Sequence, residues 1–249
     1  MSGIIRIAHR GASGYGHAPE NTLAAFRKAI EIGVDAVECD VQCTKDGQVV
    51  VIHDSTLNRT TDKRGVIQKL TLDEVKEADA GSSFDPIFKG ERIPTLREVL
   101  EVAKGKVTAV VEIKQENISD KVIKEIESMG SVEESVLISF HASALKDAQE
   151  INPSIPRALL IGGSKWVKRV SVAVELVQKA FEVGANTLDL SSKIITPGLV
   201  QKSHRREVDV WAWTVDDEEE MKELVSMGVD GITSNYPDRL NSVLSAKPA

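Results

Sequence analysis

The sequence is poor in cysteine, in aromatic residues and in long apolar runs. Among 249 residues there are two cysteines, and aromatic residues make up 4% of the chain. No stretch approaches the roughly 18 consecutive apolar residues that a membrane-spanning helix needs, so we expect no stable membrane insertion. No basic segment precedes a long apolar run at the start of the chain, which argues against a signal peptide and favours a cytoplasmic protein.

Positive charge is also in deficit. Lys and Arg number 31 against 38 Asp and Glu, for a net charge of -7. Because an acidic surface repels polyanions, we expect no nucleic-acid partner. Within one strand Cys39 and Cys43 would lie about 13 Å apart, beyond the roughly 7 Å between Cα atoms that a disulfide allows. We interpret both as small apolar packing residues.

Short β-rich segments alternate with helical segments along most of the chain. The predicted strands are Ile4–Ala8, Ala36–Val41, Val49–Ile52, Val107–Ile113, Ser135–Phe140, Arg157–Ile161, Asn186–Leu190, Val208–Trp213 and Asp230–Thr233. The predicted helices between them are Thr22–Ile32, Leu96–Lys104, Ser119–Met129, Ser143–Glu150, Val172–Val183, Pro197–His204 and Asp217–Met227. This alternation predicts a parallel sheet of the α/β class.

The strand count favours a closed (β/α)8 TIM-type barrel, which typically needs about 250 residues. Nine strands are one too many, but Asp46–Gly47 is a strong signal for a two-residue hairpin turn. We therefore predict that Val49–Ile52 runs antiparallel to its predecessor, outside the ring of eight. Residues 54–92 are rich in turn residues and carry one short helix near Leu72–Ala78. We predict a single catalytic barrel domain over residues 1–249, with these residues as a small insertion after strand two.

Ionisable residues are concentrated at the carboxyl ends of the predicted strands, where such barrels place their functional sites. Glu38 and Asp40 alternate with apolar residues, so both should point to one face. Glu112 and Lys114 share a face by the same argument. Three crowded carboxylates require raised pKa values or a cation, and hard oxygen ligands suit Mg²⁺ or Ca²⁺. Alternatively, Glu112 forms structural ion pairs with Lys114 or Arg10.

Two histidines also end strands. His9 precedes Arg10, which could hold a phosphate through two hydrogen bonds. With a two-residue hairpin turn, His53 would lie directly opposite Asp40 and join the acidic cluster. Together these groups suggest a general acid and a general base around an anionic substrate. Trp213 ends a further strand, where it either packs in the barrel core or forms an apolar wall for the substrate.

In order and spacing, these segments resemble the glycerophosphodiester phosphodiesterase family, whose barrel is similar to that of phosphatidylinositol phospholipase C. The matching segments are His9–Ala12, Pro19–Phe26, Glu38–Val41, Lys45–Gly47, Val50–Asp54, Pro94–Leu96, Glu112–Lys114, Trp213–Val215, Gly231–Thr233 and Tyr236–Pro237. The resemblance covers nearly the whole chain. It implies a (β/α)8 barrel with an insertion after strand two, in agreement with the strand count.

The resemblance implies metal-dependent hydrolysis of small glycerophosphodiesters, such as glycerophosphocholine or glycerophosphoethanolamine, to an alcohol and glycerol phosphate. It implies one divalent cation, Mg²⁺ or Ca²⁺. The implied residues are Glu38, Asp40 and Glu112 for the cation, His9 and His53 for acid/base catalysis, and Arg10 and Lys114 for the phosphate. Glu20 belongs to a Glu–Asn pair that either contacts the substrate or braces its loop. Asn235 stands where the family often has an acidic residue.

Three alternative functions use the same residues differently. A lysophospholipase D-like phosphodiesterase would need an apolar groove for an acyl chain, and the low aromatic content ranks it lower. A non-catalytic barrel could bind phospholipid headgroups without turnover, although it would not need an acid/base pair. Another metal-dependent barrel enzyme, such as a sugar-phosphate isomerase or an aldolase, would act on a carbonyl substrate and leave phosphodiesters intact.

Overall fold

The computed structural model describes residues 3–163 and 172–245. Its strands are β1 (Ile5–Ala8), β2 (Ala36–Cys43), β3 (Val49–Val51), β4 (Thr108–Ile113), β5 (Ser135–Ser139), β6 (Arg157–Ile161), β7 (Thr187–Ser191), β8 (Asp209–Trp213) and β9 (Gly231–Ser234). The sheet order is β1-β9-β8-β7-β6-β5-β4-β2-β3, and an additional β1–β2 pairing closes the ring. Every pairing within that ring is parallel, which confirms the predicted eight-stranded barrel.

Helices follow most strands of the barrel. They are α1 (Leu23–Ile32), α2 (Leu72–Lys76), α3 (Leu96–Ala103), α4 (Ser119–Ser128), α5 (Ala142–Ile151), α6 (Val172–Glu182), α7 (Pro197–His204), α8 (Glu218–Met227) and α9 (Pro237–Ser245). Our sequence analysis missed α9, although Pro237 suits a first helical position and Leu240 is fully buried one turn later. None of the helices in these two ranges is long and apolar enough to cross a membrane.

Alternate residues of each strand enter two different apolar layers. Val37, Cys39 and Val41 of β2 are buried beneath the helices. Glu38 and Asp40 point the other way, into the barrel, as their alternation with apolar residues predicts. A second apolar cluster fills the barrel interior with Ile7, Ala36, Val110, Ile138, Ala158, Leu160 and Trp211. The site is therefore supported from below by packed side chains rather than by an open pore.

The hairpin between β2 and β3 is antiparallel as predicted, but the predicted two-residue turn is wrong. The backbone N–H of Ile52, not that of His53, donates to the carbonyl of Asp40 at 2.9 Å. The register leaves a three-residue loop, residues 45–47, with Gly47 in the left-handed region at φ 81°. A left-handed third residue is typical of three-residue hairpins, and it shifts the pairing by one position. Cross-strand pairing therefore does not orient His53.

Residues 54–92 lie between β3 and α3, and their apolar residues form a small core together with β3 and the residues that flank the segment. That core consists of Val50, Ile52, Leu57, Ile67, Val75, Ala78, Ala80 and Ile93. Thr95 then begins α3 with the capping box that its spacing to Glu98 predicts. The description of the whole chain as one domain with this segment as an insertion stays a prediction.

Candidate active site

The carboxyl ends of the barrel strands surround a small cavity of about 120 Å³. Its lining residues are His9, Arg10, Glu38, His53, Glu112, Lys114, Ile138, Phe140, Leu160, Asp189, Trp213, Thr214 and Thr233. Seven of the nine site residues predicted from the sequence therefore line this cavity. Of the other two, Asp40 is fully buried beside two of the lining acids, and Glu20 lies outside the cavity.

Three acids from two adjacent strands form a group that could hold a metal ion. One carboxylate oxygen each from Glu38, Asp40 and Glu112 lies within 4.8 Å of the others, and all three residues are buried. Glu38 Oε1 and Asp40 Oδ1 have no hydrogen-bond partner. Because buried carboxylate oxygens without a donor are costly, these unpaired atoms fit a cation. An all-oxygen ligand set suits a hard divalent ion.

Burial and mutual repulsion shift the titration of these acids. Burial, together with the neighbouring acids, raises the pKa of Glu38 well above its ordinary value. Burial and Asp40 raise the pKa of Glu112 to about 7. Burial would also raise the pKa of Asp40, but Arg10 and Lys114 outweigh it and lower that pKa. Without a cation, the group therefore retains protons near neutral pH.

Two basic side chains contact the acids. Lys114 Nζ lies 2.8 Å from Glu112 Oε1 and 3.4 Å from Asp40 Oδ1. Arg10 Nε lies 3.1 Å from Asp40 Oδ2. The alternative of structural ion pairs thus describes real contacts, but they leave Glu38 Oε1 without a partner among the described residues and give Asp40 Oδ1 only the 3.4 Å contact with Lys114. Both basic groups also line the cavity, where they can meet an anionic ligand.

A tight turn after β1 presents His9 and Arg10 to the cavity. Arg10 and Gly11 both adopt left-handed backbone conformations, with φ of 55° and 79°. A Cβ on Gly11 would lie 2.6 Å from the carbonyl carbon of Ala25, so the turn packs directly against α1. In this conformation the Arg10 N–H donates to Glu38 Oε2 at 2.9 Å. Strain at Arg10 is thereby compensated by a bond to one of the site acids.

His9 is held as a neutral ring with one nitrogen free. Its Nδ1 lies 2.7 Å from Asn235 Oδ1, and Asn235 Nδ2 in turn donates to Asp216 Oδ2 at 2.7 Å. This orientation of the amide requires Nδ1 to donate, which leaves Nε2 as an acceptor. His9 Nε2 lies 4.0 Å from Glu38 Oε2. Burial and the adjacent Arg10 lower the pKa of His9 to about 4, so its ring is neutral at pH 7.

His53 lies beyond the end of β3 and is oriented by its sequence neighbour. Its Nδ1 is 2.8 Å from Asp54 Oδ1. Arg59 donates to both oxygens of Asp54 at 2.9 Å and holds the pKa of that carboxyl far below its usual range. The ionised Asp54 can only accept, so Nδ1 of His53 donates to it. This contact replaces the cross-strand pairing by which the sequence predicted the position of His53.

Arg59 also connects His53 to the basic side of the site. Its two terminal nitrogens donate to the two oxygens of Glu20, each at 2.8 Å, and Glu20 Oε1 accepts from Arg10 at 2.9 Å. Asn21, the partner of Glu20 in the sequence, donates to Asp40 Oδ2 at 2.8 Å. These contacts favour a bracing role for Glu20 over direct substrate contact. Sequence reasoning missed Arg59, because its loop has no periodicity that could place it.

The opposite wall of the cavity is mostly apolar. Trp213 donates its Nε1–H to the backbone carbonyl of Asp189 at 3.0 Å. The Trp213 ring packs edge-on against Phe140, with 5.4 Å between ring centroids. Ile138 and Leu160 complete this side. Of the two predicted alternatives for Trp213, the cavity wall describes its position better, since Trp211 rather than Trp213 fills the barrel core.

One ionisable residue of this wall was missed by the sequence analysis. Asp189 is 2% exposed and lines the cavity, while Leu188 and Leu190 on either side face the helix layer. The alternation that identified Glu38 and Glu112 applies equally here and would have found it. Burial, with a smaller contribution from Glu112, raises the pKa of Asp189 well above its ordinary value.

Comparisons with known proteins identify relatives along the whole barrel. A model of the Glycerophosphoryl diester phosphodiesterase family matches residues 9–239. A glycerophosphodiester phosphodiesterase from Caldanaerobacter subterraneus subsp. tengcongensis is 40% identical over 240 residues, covering 94% of this chain and 95% of that protein. A solved phosphodiesterase from Oleispira antarctica, in complex with the product sn-glycerol-3-phosphate, has a TM-score of 0.84 at 30% identity and 96% coverage of both chains. A solved glycerophosphodiester phosphodiesterase from Agrobacterium tumefaciens str. C58 has a TM-score of 0.83 at 29% identity, covering 97% of this chain and 100% of that one.

Proposed function

The chain belongs to the Glycerophosphoryl diester phosphodiesterase family and is a phosphodiesterase, and we propose that its substrates are small diesters such as glycerophosphocholine and glycerophosphoethanolamine. The observation that carries this proposal is a cavity lined by two histidines, two basic side chains and two acids, with a third acid buried directly beside those two. The product bound to the solved relative from Oleispira antarctica, sn-glycerol-3-phosphate, supports the same substrate class.

The proposal includes one divalent cation, Mg²⁺ or Ca²⁺, held by Glu38, Asp40 and Glu112. When bound, such an ion supplies Lewis-acid stabilisation of the charge on the phosphoryl oxygens. Arg10 and Lys114 would bind the non-bridging oxygens and offset the remaining negative charge. Both residues are already held by the acids, so little reorientation is needed when the substrate enters.

The histidines are proposed as base and acid. His9 is neutral with Nε2 free, so it would take the proton from the attacking oxygen, which bonds to phosphorus. The bond from phosphorus to the departing alcohol breaks, and His53 would give its proton to the departing oxygen. Asp54 supports this role, since its contact with Nδ1 fixes the ring and leaves Nε2 as the nitrogen that can transfer a proton. Each proton transfer typically contributes about 10²–10⁴-fold to the rate.

A second candidate is a lysophospholipase D-like activity. A groove next to the mouth shares Phe140 and Leu160 with the cavity and continues past Ile161 and Val183. This groove would suit part of an acyl chain. The cavity of about 120 Å³ and its dense charge favour the small diesters as the primary substrates.

The test is a substrate panel assayed with Mg²⁺, Ca²⁺ and Mn²⁺. Glycerophosphocholine, glycerophosphoethanolamine and lysophosphatidylcholine would be compared by release of glycerol phosphate, free choline and phosphocholine. We expect glycerol phosphate and choline from glycerophosphocholine, in a reaction that chelation abolishes and one of the metals restores. Absence of turnover on every diester would refute the proposal, and faster turnover of lysophosphatidylcholine would favour the second candidate. The cytoplasmic location stays a prediction, which cell fractionation would test.

A further inference from the structure

Asp189 has no role in the proposed chemistry, yet the barrel holds it at the cavity. It is 2% exposed, and its Oδ1 is buried without a hydrogen-bond partner. No basic side chain pairs with it anywhere in residues 3–163 and 172–245, because Arg10 and Lys114 are engaged by acids on the opposite wall. A carboxyl that is desolvated in this way is costly unless a ligand supplies the missing partner.

The surroundings of Asp189 indicate what kind of ligand group it meets. Ile138, Leu160 and Trp213 line the same wall and offer apolar surface but no charge. A carbon chain with hydroxyl groups fits such a wall, since its methylene groups pack on the apolar side chains. A hydroxyl both donates and accepts hydrogen bonds, so it can pair with a carboxyl group in either protonation state.

We propose that Asp189 is a specificity-determining residue that hydrogen-bonds the hydroxyl groups of the substrate's glycerol unit. This inference rests on the proposed function and adds to it how the glycerol side is recognised. The phosphate would be held by the charged wall and the glycerol hydroxyls by Asp189 across the cavity. An ester without hydroxyls would leave the buried carboxyl unpaired, which is the arrangement that gives strong discrimination against such analogues.

The test compares two phosphate monoesters that differ only in hydroxyl groups. Calorimetry would give the Kd of sn-glycerol 3-phosphate and of propyl phosphate in the presence of Mg²⁺. We expect the wild type to bind glycerol 3-phosphate about 10- to 100-fold more tightly, the usual value of a hydrogen bond to a charged or buried partner. Asp189→Ala should abolish this preference by weakening glycerol 3-phosphate alone, and Asp189→Asn should retain part of it.

The control variant is Asp209→Asn, on the neighbouring strand β8 at the opposite end of the barrel from the cavity. It should bind both monoesters as the wild type does. Thermal unfolding separates recognition from a structural role: Asp189→Ala removes no side-chain hydrogen bond among residues 3–163 and 172–245, so its Tm should be unchanged or higher. A lower Tm, an equal loss for both monoesters, or an unchanged preference would each overturn the assignment.

The same proteins would be assayed for turnover of glycerophosphocholine, which keeps the two proposals separate. If the wild type distinguishes the monoesters through Asp189 but hydrolyses no glycerophosphodiester, the proposed function fails and the hydroxyl contact stands. If it hydrolyses glycerophosphocholine and Asp189→Ala leaves the monoester preference intact, the hydroxyl contact fails alone.

Discussion

The two walls of the cavity are built on different principles. On the side of β1, β2 and β4, the basic groups are held by acids: Lys114 by Glu112, and Arg10 by Asp40 and Glu20. On the side of β5 to β8, the described residues give a mostly apolar surface, and Oδ1 of Asp189 has no hydrogen-bond partner among residues 3–163 and 172–245. The two walls thus differ in composition: one combines paired charges with an acid triad, and the other sets a buried carboxyl among apolar side chains.

The difference indicates that the two walls have different roles, one in catalysis and the other in substrate selection. A wall whose charges are fixed in advance can stabilise a charged transition state without reorganising, as electrostatic catalysis requires. A wall with an unsatisfied group instead discriminates between ligands that can and cannot complete it. We therefore expect changes on the charged wall to lower turnover of all phosphodiesters, and changes on the apolar wall to alter the preference among them.

Removing one of the acids that we propose to hold the cation should have the largest effect. Glu38→Gln or Glu112→Gln should lower kcat/KM for glycerophosphocholine by at least about 1,000-fold, because several kcal/mol of charge stabilisation depends on the cation. Calorimetry should show weaker Mg²⁺ binding. Glu31→Gln, an exposed site on α1, serves as the control. The ratio of the two monoester Kd values should stay the same, and a change in that ratio would contradict independent walls.

Replacing either histidine with alanine should have the second-largest effect on turnover. His9→Ala and His53→Ala should each lower kcat by at least about 100-fold while the protein stays folded by circular dichroism. On bis(4-nitrophenyl) phosphate, whose leaving group needs no acid, His53→Ala should lose much less activity than His9→Ala. Equal losses on that substrate would argue against the assignment of base and acid, and near-normal turnover of either variant would remove its role.

Substitution of Arg59 tests whether the charged wall depends on the contacts of Arg59 with Asp54 and Glu20. Arg59→Met should lower kcat by about 10- to 100-fold, a typical cost of removing a group that orients catalytic residues. It leaves Asp54 and Glu20 without their shared partner, so His53 and Arg10 lose orientation together. Arg59→Lys should recover part of the rate because it keeps the positive charge. The recovery should be incomplete because an ammonium group cannot form both paired contacts. Arg27→Met on α1 is the matched control, and a loss of Tm without a loss of kcat would indicate a structural role only.

The smallest expected effect is on the pH dependence of metal binding. Because the pKa of Glu112 is raised to about 7 in the metal-free protein, a proton must leave when the cation binds at lower pH. Mg²⁺ affinity should therefore fall by up to about tenfold per pH unit as the pH drops below 7. The raised pKa also means that metal-free stability declines as pH rises from about 4.5 to 7. Calorimetry of Mg²⁺ binding and the Tm of the metal-free protein, both measured between pH 5 and 8, test these two expectations. A Mg²⁺ affinity that does not change over this range would exclude Glu112 as a ligand that loses a proton on metal binding.

Much of the barrel and of the charged wall was predictable because both follow from strand periodicity. Glu38 and Glu112 alternate with apolar residues in long strands, so their direction is fixed by parity. His53 lies beside the acids, as predicted, but the predicted cross-strand pairing with Asp40 is not what positions it. The hairpin loop has one more residue than predicted, and Asp54 orients the ring. Arg59 acts through an irregular loop, where position depends on tertiary contacts that no local pattern encodes. Asp189 could have been predicted from its alternation with apolar residues, but its strand carries no second charged residue that would have indicated a site.

The strict alternation along β2 has a consequence for how such a protein can change over time. One residue inserted between Val37 and Val41 would exchange the two faces for every strand residue beyond the insertion, so an acid that follows it would point under the helices instead of into the cavity. Two inserted residues would restore the faces but displace the acids by about 6.6 Å along the strand. Length variation is therefore tolerable only in the connecting loops, and the long segment between β3 and α3 shows where this architecture accepts additional chain.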